Sequence, residues 1–304
     1  MLYHLLYPLH TEFSVFYVFR FITFRTIYAA ITALVISFLL GPWLIEKLSA
    51  LQMGQSIRKL GPESHFKKEG TPTMGGALIL VSVAVSTLLW SDLSNDKVWV
   101  ALTVTLLFGL IGGVDDYKKL VYGSSKGLSA KSKYFWQTVF GLGAAVVMYR
   151  MAESPIETTL IFPFVKDVMI PLGGWFIVMS YFVIVGSSNA VNLTDGLDGL
   201  AAGSASIVLG TFCFIAFLEW TILDVSYGID VAVIGASALA ACIGFLWWNT
   251  APAEIFMGDT GSQTLGFVLG VMADSSCAAV SLKSPSAVAW AITGTPSASS
   301  TISG

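Results

Sequence analysis

Long uncharged runs alternate along the chain with short polar turns. Thr26–Ile45 runs 20 residues without a charge, Met74–Ser91 runs 18, Val98–Val114 runs 17 and Tyr134–Tyr149 runs 16. Val168–Thr194 follows with 27, Gly199–Leu218 with 20, Val231–Ala253 with 23 and Thr260–Ala273 with 14. A helix needs about 20 apolar residues to cross a bilayer, so the last run is short for a span. The pattern predicts an all-α, polytopic transmembrane helix bundle of about eight spans, forming one domain over residues 1–273. Residues 1–25 carry Phe13, Phe16, Tyr17, Phe19, Phe21 and Phe24 beside Arg20 and Arg25. They predict an interfacial helix leading into the first span. After Asp274 no run of spanning length follows. Nine of the thirty residues from Ser275 to Gly304 are Ser, which predicts a poorly ordered tail.

Composition supports the membrane reading. The chain of 304 residues is 55% hydrophobic and 12% charged, with mean hydropathy +0.76. A soluble domain carries about 25% charged residues. A net charge of -3 gives no basis for a nucleic-acid partner. Cys213, Cys242 and Cys277 have no CxxC spacing, so neither a disulfide framework nor a zinc site is implied. No basic segment precedes an apolar core at the N-terminus, so no removable signal peptide is expected.

Charge also sets orientation. The turn after the first run holds Lys47, Arg58, Lys59, Lys67 and Lys68, and the turn after the third holds Lys118, Lys119, Lys126, Lys131 and Lys133. Those are ten of the sixteen basic residues, all on one side by alternation. The opposite turns hold Lys97, Arg150 and Lys166. The positive-inside rule makes the richer side cytoplasmic. Alternation brings the turns around Asn189–Leu200 and Asn249–Gly261 to the same side.

Four polar clusters therefore converge on one membrane face. In Asn189-Ala-Val-Asn-Leu-Thr-Asp-Gly-Leu-Asp-Gly-Leu200, two Asn and two Asp sit between two membrane-length runs. Acids so placed mark a functional site by default. A polar loop that caps two helices would use the same residues. Asp115 and Asp116 end the third run, with Lys119 three or four residues on. Adjacent helical residues point about 100° apart, so one acid can face a ligand while the other binds metal or orients its neighbour. An interfacial Asp–Lys ladder is the plainer account. Asp259, between Gly258 and Gly261, can equally be a helix cap. The loop Gly61–Gly76, with Lys67 and Lys68, can offer N–H groups and ammonium charge to phosphates, without P-loop spacing. Carboxylates, amides and lysines at a bilayer surface suit Mg²⁺ and a phosphate-bearing ligand. They fit phosphoryl transfer from a cytosolic donor to a lipid acceptor, with metal and lysine electrostatics as the main catalytic effect.

These clusters, quoted as GPESHFKKEGTPTMGG, DDYKK, KGLSAKSKYFWQ, NAVNLTDGLDGLA and FMGDTGS, resemble the polyprenyl-phosphate N-acetylhexosamine-1-phosphate transferases. GTPTMGG resembles the phospho-N-acetylmuramoyl-pentapeptide-transferase branch. The resemblance runs from about Phe16 to Met272. It implies a ten-helix bundle in the bacterial inner membrane, usually a homodimer, with a Mg²⁺-dependent cytoplasmic site. The implied reaction moves phospho-MurNAc-pentapeptide from UDP-MurNAc-pentapeptide to undecaprenyl phosphate, giving lipid I and UMP for peptidoglycan biosynthesis. By motif, Asp115 would act on the lipid phosphate, as base or as nucleophile, with Asp116 in support. Asp259 would bind Mg²⁺, with Asp115 and Asp116 as further candidate ligands. Asn189, Asn192, Asp195, Asp198 and Phe256 would line the nucleotide and metal site. Lys68, Lys119 and Lys133 would contact phosphates or the nucleotide. The family's His-rich loop and terminal span have no counterpart after Ala273, as a truncation or frameshift would leave it. A chain of this form is expected to show little or no transferase activity. A UDP-N-acetylglucosamine-using relative, a non-catalytic product and an ion-coupled transporter are the competing readings. The transporter would place its acids near the midplane between inverted halves.

Overall fold

The computed structural model describes residues 1–52, 71–122, 127–152, 158–161, 169–223 and 229–279. Lys68 and most of the Gly61–Gly76 loop lie outside these residues, as does the tail from 280 onward. A short helix α1 (Leu2–Leu6) and two 3₁₀ turns (Tyr7–Thr11, Ser14–Arg20) lead into α2 (Ile22–Gln52). Then come α3 (Gly76–Trp90), α4 (Asp96–Tyr122) and α5 (Ala130–Met151). An antiparallel pair of short strands, β1 (Thr159–Ile161) and β2 (Met169–Pro171), separates α5 from α6 (Trp175–Thr194). α7 (Leu200–Leu223), α8 (Ile229–Asn249) and α9 (Gly258–Ala279) follow.

The helices from α2 onward coincide with the eight uncharged runs. Five of them, α2, α4, α6, α7 and α8, are long and apolar enough to cross a membrane. α3 is apolar but has 15 residues. The all-α membrane bundle expected from the pattern is the architecture observed.

Three local expectations differ. Residues 1–25 do not form one interfacial helix. Pro8 lacks an N–H, and Phe13 and Phe21 adopt extended backbone, so the segment folds as short turns. Its aromatic residues pack on the far end of α3, with Phe19 stacked on Trp90 at a centroid distance of 6.0 Å. The uncharged run from Val168 does not begin a helix. It enters β2, and Gly173 at φ 50° turns the chain into α6. Finally, α9 is longer than its 14-residue uncharged run, with 22 residues. It is the central helix of the bundle, packed against α3, α4, α6 and α7. From Thr260 to Asp274 every residue except Ala273 is buried. A helix enclosed by protein can carry polar groups that a lipid-facing helix cannot, because neighbours satisfy them. Ser180 of α6 thus donates to the buried Asp274 carboxylate at 3.0 Å.

Glycines let α9 sit this close to its neighbours. On α9, Gly266 and Gly270 face the α6 backbone at Ser188 and Ile184, with no room for a Cβ. Their spacing is that of small-residue helix packing in membranes. Gly112 of α4 and Gly76 of α3 make the same approach to the first turn of α9. Segment 72–76 also pairs with the chain before α9: Phe256 N–H donates to Pro72 C=O at 2.8 Å, and Gly76 N–H to Met257 C=O at 2.8 Å. The start of α9 is thereby fixed at the end of the bundle where α4 and α6 finish and α5 and α7 begin.

Candidate active site

The site is assembled on the first turn of α9. Gly258 has φ 73°, a conformation that an L side chain reaches only with strain, and a Cβ there would press on the Asp116 carboxylate. This turn aims the next two N–H groups at α4. Asp116 accepts from Asp259 N–H at 3.1 Å, from Thr260 N–H at 2.8 Å and from the Thr260 hydroxyl at 2.7 Å. A helix begins with N–H groups that lack an intrahelical partner. Here their cap is a carboxylate from another helix. Asp259 does not cap its own helix; its backbone is capped and its side chain is left for other work.

That side chain is the hub. Asp259 Oδ1 accepts from Asn192 Nδ2 at 2.6 Å. Its Oδ2 accepts from Lys119 Nζ at 2.9 Å and Lys133 Nζ at 2.7 Å. Lys119 also pairs with Asp115, one turn back on α4. Asp115 Oδ1 accepts from Leu128 N–H at 2.6 Å. Burial raises the Asp259 carboxyl pKa, but its hydrogen bond with Asp115 and the Lys133 and Lys119 ammonium groups outweigh it. The group is held well below the usual carboxylate range.

Asp115, Asp116 and Asp259 each offer one oxygen, and these three atoms lie within 4.8 Å of one another. This is the candidate metal centre. Its members differ in freedom. Asp116 is 2% exposed, and both of its oxygens serve α9. Asp115 and Asp259 share Lys119, and Asp259 also holds Lys133; a lysine can exchange for a cation where a backbone N–H cannot, and the Leu128 N–H takes one Asp115 oxygen and leaves the other to Lys119.

The Asn189–Leu200 stretch is split by the fold. Asn192 reaches Asp259, and also donates to Ser262 Oγ at 2.7 Å. Asn189, one turn deeper, pairs with Gln137 and the Val185 carbonyl. Asp195 ends α6, and its carboxylate accepts from Gly258 N–H. Asp198 does not join the three-carboxylate group; it accepts from Ala253 N–H at 3.4 Å and so fastens the loop before α9. Phe256 is half-buried and contributes its backbone to the pairing with residues 72–76. Sequence reasoning missed Thr260 and Asn249. Asn249 receives Gly199 N–H at 3.0 Å and donates to Ile255 C=O at 2.8 Å, joining the α7 start to the same loop. Its signal was visible: a lone amide near the end of a 23-residue uncharged run.

Burial, with the nearby charges of Asp259 and Asp116, pushes the Asp195 carboxyl up to about 6, against the hydrogen bond from Gly258. A raised carboxyl pKa means that folding is favoured at low pH and loses that advantage as pH rises from the unfolded value through 6. Asp195→Asn, which keeps an oxygen for Gly258, is expected to raise the melting temperature at pH 8 and to leave it unchanged at pH 4. Thermal melts in detergent at the two pH values check this.

Residues 98–276, more than half of the chain, match the family model for glycosyl transferase family 4. The chain belongs to this family. Its members transfer a sugar phosphate from a nucleotide sugar to polyprenyl phosphate, so the protein is a multi-pass membrane transferase. The matched region runs from α4 to α9 and contains Asp115, Asp116, Lys119, Lys133, Asn192 and Asp259.

Proposed function

We propose that this transferase moves phospho-MurNAc-pentapeptide from UDP-MurNAc-pentapeptide to undecaprenyl phosphate at the cytoplasmic face of the bacterial inner membrane, in a Mg²⁺-dependent reaction that gives lipid I and releases UMP. The observation that supports it best is the single carboxylate of Asp259, held by lysines from two helices beside a second, exchangeable carboxylate. A hard cation favours such oxygens and keeps several waters, so the donor set fits Mg²⁺. When bound, the ion would be held by Asp259 and Asp115 and would neutralise charge on a donor diphosphate.

The protein's own groups supply the rest. Lys119 and Lys133, which meet at Asp259, are placed to hold phosphate oxygens, and such charge-assisted hydrogen bonds are the strong class. Asp116 keeps Asp259 in place through the α9 backbone. Asp115 faces the same space and can act on the attacking lipid phosphate as the base that takes its last proton. With a second pKa near ~6 that phosphate is mostly ionised at neutral pH, so proton removal is the lesser task. Below the site an apolar groove of about 360 Å³ lies between α4 and α5, lined by Trp99, Val104, Leu107, Phe140 and Val147. Leu107 is eight residues from Asp115, about 12 Å along the helix, within reach of a lipid acceptor's chain. The muramoyl branch is favoured over UDP-N-acetylglucosamine by the GTPTMGG stretch.

The test offers each donor, with undecaprenyl phosphate, to the protein in membranes and measures UMP. On this reading, and in contrast to the inactivity expected from the sequence, UMP is released from the muramoyl donor, lost on adding EDTA and restored by Mg²⁺, with far less from UDP-N-acetylglucosamine. Release from UDP-N-acetylglucosamine alone assigns the other branch. Release that survives EDTA removes the metal from the reading.

A further inference from the structure

One helical turn beneath the carboxylate hub lies a second polar layer that the proposed chemistry does not use. Gln263 of α9 is 0% exposed, Ser188 of α6 is 0% and Gln137 of α5 is 1%. Gln263 Oε1 accepts from Gln137 Nε2 at 2.6 Å and from Ser188 Oγ at 2.5 Å. Gln137 in turn exchanges hydrogen bonds with Asn189, receiving from its Nδ2 at 3.1 Å. This layer repeats the hub above it. Lys133 and Gln137 on α5, Asn192 and Ser188 on α6, and Asp259 and Gln263 on α9 are each four residues apart. A separation of four is one turn, so each pair shares a helix face about 6 Å apart along the axis. The three helices that deliver Lys133, Asn192 and Asp259 to one point are therefore tied to each other by hydrogen bonds one turn lower.

An apolar layer would pack these helices too, and without leaving a polar atom unmatched. Gln263 Nε2 has no partner among the described residues, and a buried donor in that state destabilises the fold. Hydrophobic contacts tolerate small rotations and slides of one helix against another, whereas directional hydrogen bonds specify register. We propose that Gln137, Gln263 and Ser188 are positioning residues, which fix the rotation of α9 against α5 and α6 and thereby hold Lys133 on Asp259. Their consequence for turnover rests on the proposed reaction, but their effect on Lys133 does not.

The experiment uses the whole protein in membranes without substrate or metal. Lysine acetylation by an amine-reactive ester is followed by mass spectrometry in wild type, Gln137→Met, Gln263→Met and Ser188→Ala. Methionine matches glutamine in length and cannot replace its amide. Loss of hydrogen bonds from the layer, one in Ser188→Ala and more in the methionine variants, is expected to speed Lys133 labelling by about fivefold, while the exposed Lys131 keeps its rate. Lys133 rates within twofold of wild type in all three variants would overturn the proposal and leave the layer as packing alone. Should the methionine variants fail to fold, Ser188→Ala, which removes a donor with almost no change of volume, decides by the same reading. Faster labelling in the variants, together with a wild type that releases no UMP from either donor, would keep the positioning role and reject the reaction.

Discussion

Asp259→Asn is expected to abolish divalent-cation binding and UMP release while leaving the bundle folded. Asparagine has the same shape as aspartate, and its oxygen can still receive Asn192 or a lysine. What it lacks is charge. The wild-type carboxylate is kept ionised by Lys133 and Lys119 and by its hydrogen bond with Asp115. It is the one acid in the cluster that contacts α4, α5 and α6 at once. Removing an outer partner of a metal ligand weakens binding by about 10–100-fold, so removing the ligand itself should exceed that range. Titration of Mn²⁺, read by electron paramagnetic resonance on the purified protein, measures this without turnover. A variant that binds Mn²⁺ as wild type does would take Asp259 out of the metal site. Loss of UMP release with unchanged Mn²⁺ affinity would assign it to phosphate handling alone.

Charge patterning made the meeting of Asp115, Asp259, Lys119 and Lys133 legible before any coordinates. Charges are excluded from spans, so they accumulate at helix ends, and alternation says which ends coincide. The same logic could not say which acid would be central. The Asn189–Leu200 stretch is rich in polar groups, yet its acids divide between the hub's edge and the Ala253 loop. Density along a sequence reports that a turn is polar; direction depends on the dihedral angles of single residues, such as Gly258 at φ 73°. The buried layer was harder still. Gln137, Ser188 and Gln263 are uncharged and sit inside runs that read as span. Only the packing of α9 at the centre, through Gly266 and Gly270, shows why polar residues are tolerated there. The β1–β2 pair was hidden for a related reason. Its second strand is continuous in hydropathy with α6, and the break falls at Pro171 and Gly173, where backbone preference rather than polarity decides.

Asp116→Ala separates two roles that a cluster of three acids leaves confounded. If Asp116 is chiefly a metal ligand, its removal relieves a buried carboxylate of its neighbours' repulsion, and the metal-free protein should melt no lower than wild type. The structure argues the opposite. Its two oxygens take three hydrogen bonds from Asp259 and Thr260, all at the buried start of α9. Alanine would leave those donors without partners, at about 1–3 kcal/mol for each unsatisfied group. It would also remove a negative charge from a helix N-terminus, a further loss of roughly 0.3–1 kcal/mol, or up to ~2 in buried geometry. The metal-free variant is therefore expected to melt several degrees below wild type, in contrast to Asp259→Asn. Mn²⁺ affinity should fall as well, because Asp259 is carried on the turn that loses its cap. Asp116→Asn, which keeps one oxygen for Thr260, should recover part of the melting temperature. If alanine removes Mn²⁺ binding and leaves the metal-free melt unchanged, Asp116 is a ligand and the cap contributes little.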